Sequence, residues 1–330
     1  MREPHLLVTM DKLKAIFKLF ADTVATFLQD KATIYAAGLA YYTVFSIPPL
    51  MVVAIGIASL FTDRATIEEQ VVNQASSLMG RQGGEGIQTI LQSAEQPGNG
   101  ELLPTLFGVA LLLFGASGVF TQLQDAMNTI FGVKPDPRRG IMGLIKDRFL
   151  SFTMVLTIGF ILLVSLMLST VLATFGNFVG GLVTEAEVVL WIMNFIISFG
   201  VFMLLFALIF KTIPDIKIAW RDVLVGAAIT ALLFKIGEYA LGFYFERSDP
   251  TSAFGAAGSI ILLLLWIYYS AQIIFLGAEF TEVYARRIGS GVQPKADAVP
   301  LTREARAQQG IAREQEVKQQ AQAQSSANKP

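Results

Sequence analysis

The stretch VLVGAAITALLFKIGEYALGFYF occupies residues 223–245, and Lys235 and Glu238 are its only charged residues. A helix of roughly 20 apolar residues crosses the hydrocarbon layer of a bilayer, which is about 30 Å thick. Because backbone amides find no hydrogen-bond partner in lipid, such a segment must be helical or belong to a closed barrel. The stretch lacks the alternating pattern of a barrel strand. It therefore predicts a transmembrane helix that carries a lysine and a glutamate inside it.

Five other stretches have the same apolar character and sufficient length. The composition agrees, because 53% of the residues are hydrophobic and only 15% are charged, against about 25% charged in soluble proteins. The sequence predicts an all-α, polytopic membrane protein with six transmembrane helices. The predicted spans are Ile34–Phe61, Leu102–Phe120, Phe149–Phe175, Val188–Phe210, Val223–Phe245 and Ala256–Ala278.

Lysine and arginine alternate between the segments that connect these spans. Of the 25 basic residues, 21 lie in the N-terminal segment, the second and fourth loops and the C-terminal tail. The first, third and fifth loops together hold three, and Lys235 is the last. Basic residues are retained on the cytoplasmic side of a membrane. The pattern predicts that both termini are cytoplasmic and that the long loop at 62–101 faces outward.

The N-terminal segment, residues 1–33, is predicted to contain an amphipathic helix. Apolar residues recur at helical spacing through Met10–Leu28, and the lysines lie largely off that stripe. Such a helix can rest on the inner membrane surface with its lysines toward anionic headgroups. Packing against the cytoplasmic ends of the bundle is the alternative.

Two segments outside the spans carry further predictions. The outer loop is expected to hold two short helices, at Thr66–Met79 and Gly86–Ser93, separated by the glycine-rich residues 80–86. The transmembrane domain is expected to end near residue 285. Residues 286–330 have little apolar surface to bury, so beyond Gly289 we expect a disordered or weakly helical cytoplasmic tail.

Lys235 and Glu238 are the strongest candidates for a functional site. Lys235 lies about 18 Å along the helix from Val223, and Glu238 follows at i+3 on the same face. A charge at this depth costs about 2.5–3.5 kcal/mol on insertion scales, so it usually faces protein or water and has a partner. The two residues can line a polar cavity that contacts a headgroup or couples to protons. Alternatively they neutralise each other, or Lys235 reaches toward the outer headgroups.

Other polar or helix-bending residues at similar depth could share such a cavity. In the first span, Ser46 precedes the prolines Pro48 and Pro49, which remove backbone donors and predict a bend. A packing kink and a hinge are both compatible with them. The sixth span contributes Tyr268, Tyr269 and Gln272, for which hydrogen bonds between helices are the alternative reading.

A basic group precedes the third span at the predicted inner rim. Its first interpretation is that these basic residues simply mark the cytoplasmic side of the membrane. The second interpretation is that they bind anionic headgroups. Its members are Arg138, Arg139, Lys146 and Arg148.

Several classes of chemistry have no support in the sequence. The chain has no cysteine and a single histidine, His5, and its net charge is −1. It shows no phosphate-binding glycine loop, zinc-ligand spacing or nucleophile elbow. We therefore expect no metal, no cofactor, no enzymatic activity and no nucleic acid partner.

Four segments resemble the YihY/BrkB family of bacterial membrane proteins, formerly labelled ribonuclease BN. They are AAGLAYYTVFSIPPL at 36–50, LQDAMNTIFGV at 123–133, IPDIKIAWRDVLVGA at 213–227 and FGAAGSIILLLLWIYYSAQIIFLGAEFTEVYA at 254–285. The resemblance implies a multi-pass protein of the bacterial inner membrane, connected with envelope integrity and lipid export. The residues that RNA hydrolysis needs, a histidine or carboxylate–metal cluster beside a basic groove, are absent from the sequence.

Together these observations favour a protein that binds or moves a lipid or other amphiphile, with membrane lipids as its partners. A scaffold that organises envelope proteins, or associates with itself, through the outer loop and the tail is the alternative.

Overall fold

Helices make up most of the chain. The computed structural model describes residues 4–59, 63–94, 102–138, 140, 143, 186–247 and 258–311. The long helices are α1 (Pro4–Gln29), α2 (Ala32–Ala58), α3 (Arg64–Ala94), α4 (Leu102–Ile130), α5 (Ala186–Thr212), α6 (Trp220–Arg247) and α7 (Gly258–Arg287). The short elements are β1 (Val133–Pro135), β2 (Ile216–Lys217), β3 (Gln293–Pro294), β4 (Ala298–Pro300) and α8 (Arg303–Gln308).

Three of the described helices are long and apolar enough to cross a membrane. The segments are Phe195–Thr212 in α5, Trp220–Tyr244 in α6 and Ile260–Arg287 in α7. They match the fourth, fifth and sixth predicted spans. Helices α2 and α4 cover most of the first predicted span and all of the second, whereas the third, at residues 149–175, lies outside the described residues. Six crossings and cytoplasmic termini stay predictions.

The predicted outer loop folds as two helical arms within α3. Gly80 has φ 76° and ψ 175°, which interrupts the helical backbone between the arms. The arms approach closely, because a Cβ on Gly84 would lie 1.9 Å from the Ser76 hydroxyl oxygen. The prediction of two helices is confirmed. The predicted glycine-rich separator at 80–86 is wrong, because the break is confined to Gly80, the residue whose positive φ suits glycine.

The prediction of a disordered or weakly helical tail beyond Gly289 is wrong for residues 290–311. Strand β3 pairs antiparallel with β2, and β4 pairs antiparallel with β1. Ala298, Leu301 and Ile311 are buried. Sequence composition underestimates this order because the backbone hydrogen bonds come from strands that are distant along the chain. Residues 312–330 lie outside the described part of the chain.

The chain divides into two compact units. The first unit comprises residues 1–30, 127–232 and 276–330, and the second comprises residues 31–126 and 233–275. Both small sheets belong to the first unit.

Within the first unit, α6 and α7 pack through small residues. A Cβ on Gly226 of α6 would meet the Thr281 side chain at 1.8 Å, and one on Gly277 of α7 would meet Thr230 at 1.9 Å. Each threonine hydroxyl donates to the carbonyl of the glycine four residues earlier in its own helix, Thr230 at 2.7 Å and Thr281 at 2.6 Å. The two helices therefore exchange glycine–threonine contacts, the close approach that small residues allow.

Helix α1 has two apolar sides, and only one of them is covered. Leu19 packs with Phe280 and Val283 of α7. A second side is exposed and is flanked by the exposed Lys14 and Lys18; its apolar residues are Phe17, Phe20, Val24 and Leu28. The helix is confirmed, and one side of it packs on α7. Its contact with the inner membrane surface stays a prediction.

Candidate functional site

Lys235 and Glu238 form an ion pair in the second unit. The Lys235 Nζ and Glu238 Oε2 atoms are 2.8 Å apart, as the i+3 spacing on α6 allows. The two side chains are 12% and 16% exposed. Lys235 lies about 22 Å along the helix from Trp220, where the membrane-length segment begins. The site is thus a mutually neutralised pair that remains partly accessible.

Helix α6 holds this pair in place through its composition and its first turn. Alanine and leucine, both good helix formers, are frequent in α6. Asp222 lies in the first turn, where a negative charge is favourable. Its Oδ2 atom accepts hydrogen bonds from the backbone N–H and the hydroxyl of Ser290, at 2.8 and 2.6 Å. These bonds fix the N-terminal end of the helix within the first unit.

Tyr269 of α7 reaches the same turn of α6. A Cβ on Gly237 would lie 1.8 Å from the Tyr269 hydroxyl oxygen and 2.5 Å from the ring carbon that bears it. The phenol therefore occupies the space left by the missing side chain, one residue away from Glu238. Phe234 and Trp266 continue the contact, with their rings edge to face and 6.1 Å between centroids. The structure thus brings together Lys235 and Glu238, and it places Tyr269 against Gly237 in the same helical turn.

The other predicted cavity residues are placed differently. The Ser46 hydroxyl donates to the Tyr42 carbonyl of its own helix at 2.7 Å, and Ser46 lies against Gly115 of α4, where an added Cβ would be 2.4 Å from its oxygen. Pro48 lies within α2, which is helical from Ala32 to Ala58. Tyr268 and Gln272 are half-buried on α7. Ser46 therefore serves the packing of α2 on α4 within the second unit.

Most of the predicted basic rim lies outside the described residues. Arg138 is exposed, and its backbone N–H donates to the Asp136 carboxylate at 2.8 Å. Arg139, Lys146 and Arg148 are not among the residues that the structure describes. The binding of headgroup phosphates by this group stays a prediction.

The sequence analysis did not single out Ser270, the residue after Tyr269. Its hydroxyl oxygen is buried, and among the described residues it has no hydrogen-bond partner. A serine within the apolar run of α7 was the available signal. It adds a polar atom to the stretch of α7 that carries Tyr268, Tyr269 and Gln272.

The first unit contains a buried ion pair that the sequence analysis also missed. Arg306 Nη1 lies 2.8 Å from Asp30 Oδ1, and the side chains are 4% and 0% exposed. Arg306 also donates to the Thr129 carbonyl at 3.2 Å. A separation of 276 positions along the chain hides this pair from any local pattern. It connects the ordered tail to the ends of α1 and α4.

A separate open cavity of about 310 Å³ lies between the arms of α3. Its lining includes two carboxylates and two amides beside two aliphatic side chains. Arg64 pairs with one of the carboxylates, Glu68, at 2.6 Å. The lining residues are Glu68, Glu69, Val72, Gln88, Leu91 and Gln92. Across the described part of the chain, no group of three or more His, Cys, Asp or Glu residues could hold a metal ion.

Comparison with known proteins identifies the family. The family model described as Virulence factor BrkB matches residues 23–302. The chain belongs to the BrkB family. The matched region includes the Lys235–Glu238 pair and all four strands, whereas Arg306 lies just beyond its end.

Relatives of this BrkB-family chain are membrane proteins named UPF0761. One from Pseudomonas aeruginosa is 29% identical over 255 residues, covering 76% of this chain and 59% of that protein. One from Vibrio campbellii is 28% identical over 261 residues, covering 78% of this chain and 79% of that protein. One from Saccharophagus degradans is 27% identical over 277 residues, covering 83% and 61%. The chain thus spans less than two thirds of the Pseudomonas and Saccharophagus relatives.

No solved structure matches this chain. Together with the three membrane-length helices, the family match makes the chain an integral membrane protein of the BrkB family.

Proposed function

We propose that this BrkB-family protein binds and translocates a lipid or other amphiphile in the bacterial inner membrane. The observation that carries the proposal is the Lys235–Glu238 ion pair, which is placed deep in a membrane-length helix and is still 12% and 16% exposed. A pair that served packing alone would cost desolvation energy that a pair of apolar residues avoids. Charges retained at this depth usually mark a pathway or a binding site.

Three chemical features of the site suit an amphiphile. Lys235 can donate to a phosphate oxygen, and Glu238 can accept from a cationic or hydroxyl group. Tyr269 adds a phenol beside the same turn. Exposed apolar side chains of α6 lie next to the pair along the sequence, including Ile236 and Tyr239, and they would contact acyl chains. Headgroup and tails would then meet chemically matched surfaces on a single helix.

The orientation completes the proposal. Both termini are cytoplasmic, and the basic inner rim, including Arg138, attracts anionic headgroups. Neither nucleotide hydrolysis nor any other enzymatic step within this chain is part of the proposal, and nucleic acid is not a partner.

Lipid movement in proteoliposomes tests the proposal. The full-length protein is reconstituted with fluorescent phospholipids, and a membrane-impermeant quencher reports their movement between leaflets, with and without a proton gradient. Wild type should accelerate the movement. Lys235→Leu, Glu238→Leu and the double variant should lose that acceleration while they still insert and melt cooperatively. Full activity of the double variant would overturn the proposal.

A membrane scaffold is the second candidate, and the cavity between the arms of α3 favours it. A polar, carboxylate-lined cleft in the predicted outer loop suits a protein partner with basic side chains. In that case the proteoliposomes would show no lipid movement, and deletion of residues 62–101 would abolish envelope function while the substitutions at Lys235 and Glu238 would not.

A further inference from the structure

We infer that the Lys235–Glu238 site selects a zwitterionic headgroup carrying a phosphate and a primary ammonium, the chemistry of a phosphatidylethanolamine. This inference rests on the proposed function and specifies its substrate class. It starts from the charge balance of the site.

The Lys235–Glu238 pair carries no net charge. Lys235 Nζ and Glu238 Oε2 are 2.8 Å apart and share one charge-assisted hydrogen bond. An anionic headgroup that paired with Lys235 would leave the Glu238 carboxylate without this partner and beside a second negative charge. In a low-dielectric environment, a carboxylate separated from its counterion is strongly disfavoured. The pair therefore discriminates against ligands with a net negative charge.

A zwitterion avoids this penalty. Its phosphate replaces the carboxylate as the partner of Lys235, and its ammonium replaces the lysine as the partner of Glu238. One ion pair is opened and two are formed, with no net charge added to the membrane interior.

The carboxylate also distinguishes between amines. A primary ammonium offers N–H donors to Glu238, whereas a quaternary ammonium such as choline offers none. Charge-assisted hydrogen bonds are stronger than neutral ones and short in range. The order of preference is therefore ethanolamine over choline, and both over a headgroup with net negative charge.

Native mass spectrometry of the full-length protein measures this preference. Phosphatidylethanolamine, phosphatidylcholine and phosphatidylglycerol with identical acyl chains are titrated separately onto delipidated protein. Loss of one charge-assisted hydrogen bond corresponds to roughly tenfold in affinity. We expect wild type to bind phosphatidylethanolamine about tenfold more tightly than phosphatidylglycerol.

Two variants separate charge complementarity from general lipid adhesion. Glu238→Gln removes the ammonium acceptor's charge and should erase the preference or reverse it toward phosphatidylglycerol. The exchange variant, Lys235→Glu with Glu238→Lys, keeps one charge of each sign and should retain the preference. Glu85→Gln, on the exposed surface of α3, is the matched control and should behave as wild type. Thermal melting in detergent verifies that each variant is folded.

The outcomes also distinguish this inference from the proposed function. If wild type prefers phosphatidylglycerol, or if Glu238→Gln keeps the wild-type order, headgroup selection by the pair is wrong. If lipid movement is nevertheless lost in Lys235→Leu, the proposed function stands without it. If neither headgroup affinity nor lipid movement responds to substitution of Lys235, both are overturned.

Discussion

At the scale of single residues, Gly237 controls how closely Tyr269 approaches the charged turn of α6. Any side chain at this position would overlap the phenol, because even a Cβ would lie 1.8 Å from the hydroxyl oxygen. Gly242, in the same helix, has nothing within 4 Å of the equivalent point. Gly242 therefore has room for the methyl group of an alanine, whereas Gly237 does not.

Alanine substitution at these glycines should give opposite results. Alanine is favoured over glycine inside a helix by about 1 kcal/mol, so Gly242→Ala should leave the stability unchanged or raise it. Gly237→Ala should lower the stability by about 1–3 kcal/mol, as overpacking does, and should weaken lipid binding by displacing Tyr269. Unfolding of the purified protein in detergent checks both. Equal effects of the two substitutions would show that the phenol does not fill the Gly237 position.

The pairing of Lys235 with Glu238 could be predicted from the sequence because it is local. Residues at i and i+3 share a helix face, so spacing alone places the two side chains together. The approach of Tyr269 to α6 could not be predicted from the sequence, because it depends on which glycine of α6 faces which tyrosine of α7. For Ser46 the sequence was misleading. Its depth in the first span suggested a place in the cavity, whereas in the structure it packs against Gly115.

At the scale of elements, α1 combines packing on the bundle with an exposed apolar side. Phe17 is 76% exposed and Leu28 is 65% exposed. An interfacial helix buries such a side at the headgroup boundary and places its lysines beside anionic lipid. We expect α1 of the BrkB-family chain to lie on the inner leaflet in this way.

Single cysteines test this position, and the chain contains no other cysteine. Leu28→Cys lies on the apolar side, and Ala25→Cys is also exposed but lies off that side. In vesicles that contain anionic lipid, a water-soluble maleimide is added on the side of the membrane where α1 lies. It should label position 25 much faster than position 28. In vesicles made of zwitterionic lipid alone, the difference between the two labelling rates should be smaller. Equal rates in anionic vesicles would contradict the interfacial arrangement.

The ordered part of the tail is held by the ion pair between Arg306 and Asp30. Removing one partner of a buried pair leaves an uncompensated charge and costs about 3–5 kcal/mol. Arg306→Met should therefore destabilise the protein by about this amount. Arg81→Met removes an exposed arginine from its pair with Glu85, which is exposed as well, and should cost at most about 1 kcal/mol.

Chemical unfolding of both variants in detergent measures these losses. Replacing both Asp30 and Arg306 by leucine should recover part of the stability, because no charge then remains buried. If Arg306→Met is no more harmful than Arg81→Met, the buried pair does not hold the tail.

At the scale of the whole molecule, the sequence predicts the described membrane-length helices better than the structure of residues 290–311. Hydropathy identifies membrane spans because the bilayer requires long apolar helices, whatever lies next to them. It says nothing of β3 and β4, which are only two and three residues long and gain their order by pairing with strands far away in the sequence. Composition alone made residues 290–311 look like a solvated tail.

The predicted topology places consecutive loops on opposite sides of the membrane. In intact cells, an impermeant thiol reagent should label Gly180→Cys but should label Arg138→Cys only after permeabilisation. Labelling of both positions under the same condition would contradict six crossings with the basic loops inside.

The most direct test of a lipid site at the ion pair is photo-crosslinking from α7. A benzophenone amino acid replaces Tyr269, which packs against Gly237 in the turn of α6 that carries the pair, or Leu265, which is exposed on the same helix. After irradiation in native membranes, tandem mass spectrometry locates the bond on the captured lipid. We predict that position 269 captures lipid at the headgroup or glycerol, whereas position 265 captures acyl chains. Acyl-chain or protein adducts alone at position 269 would contradict the account.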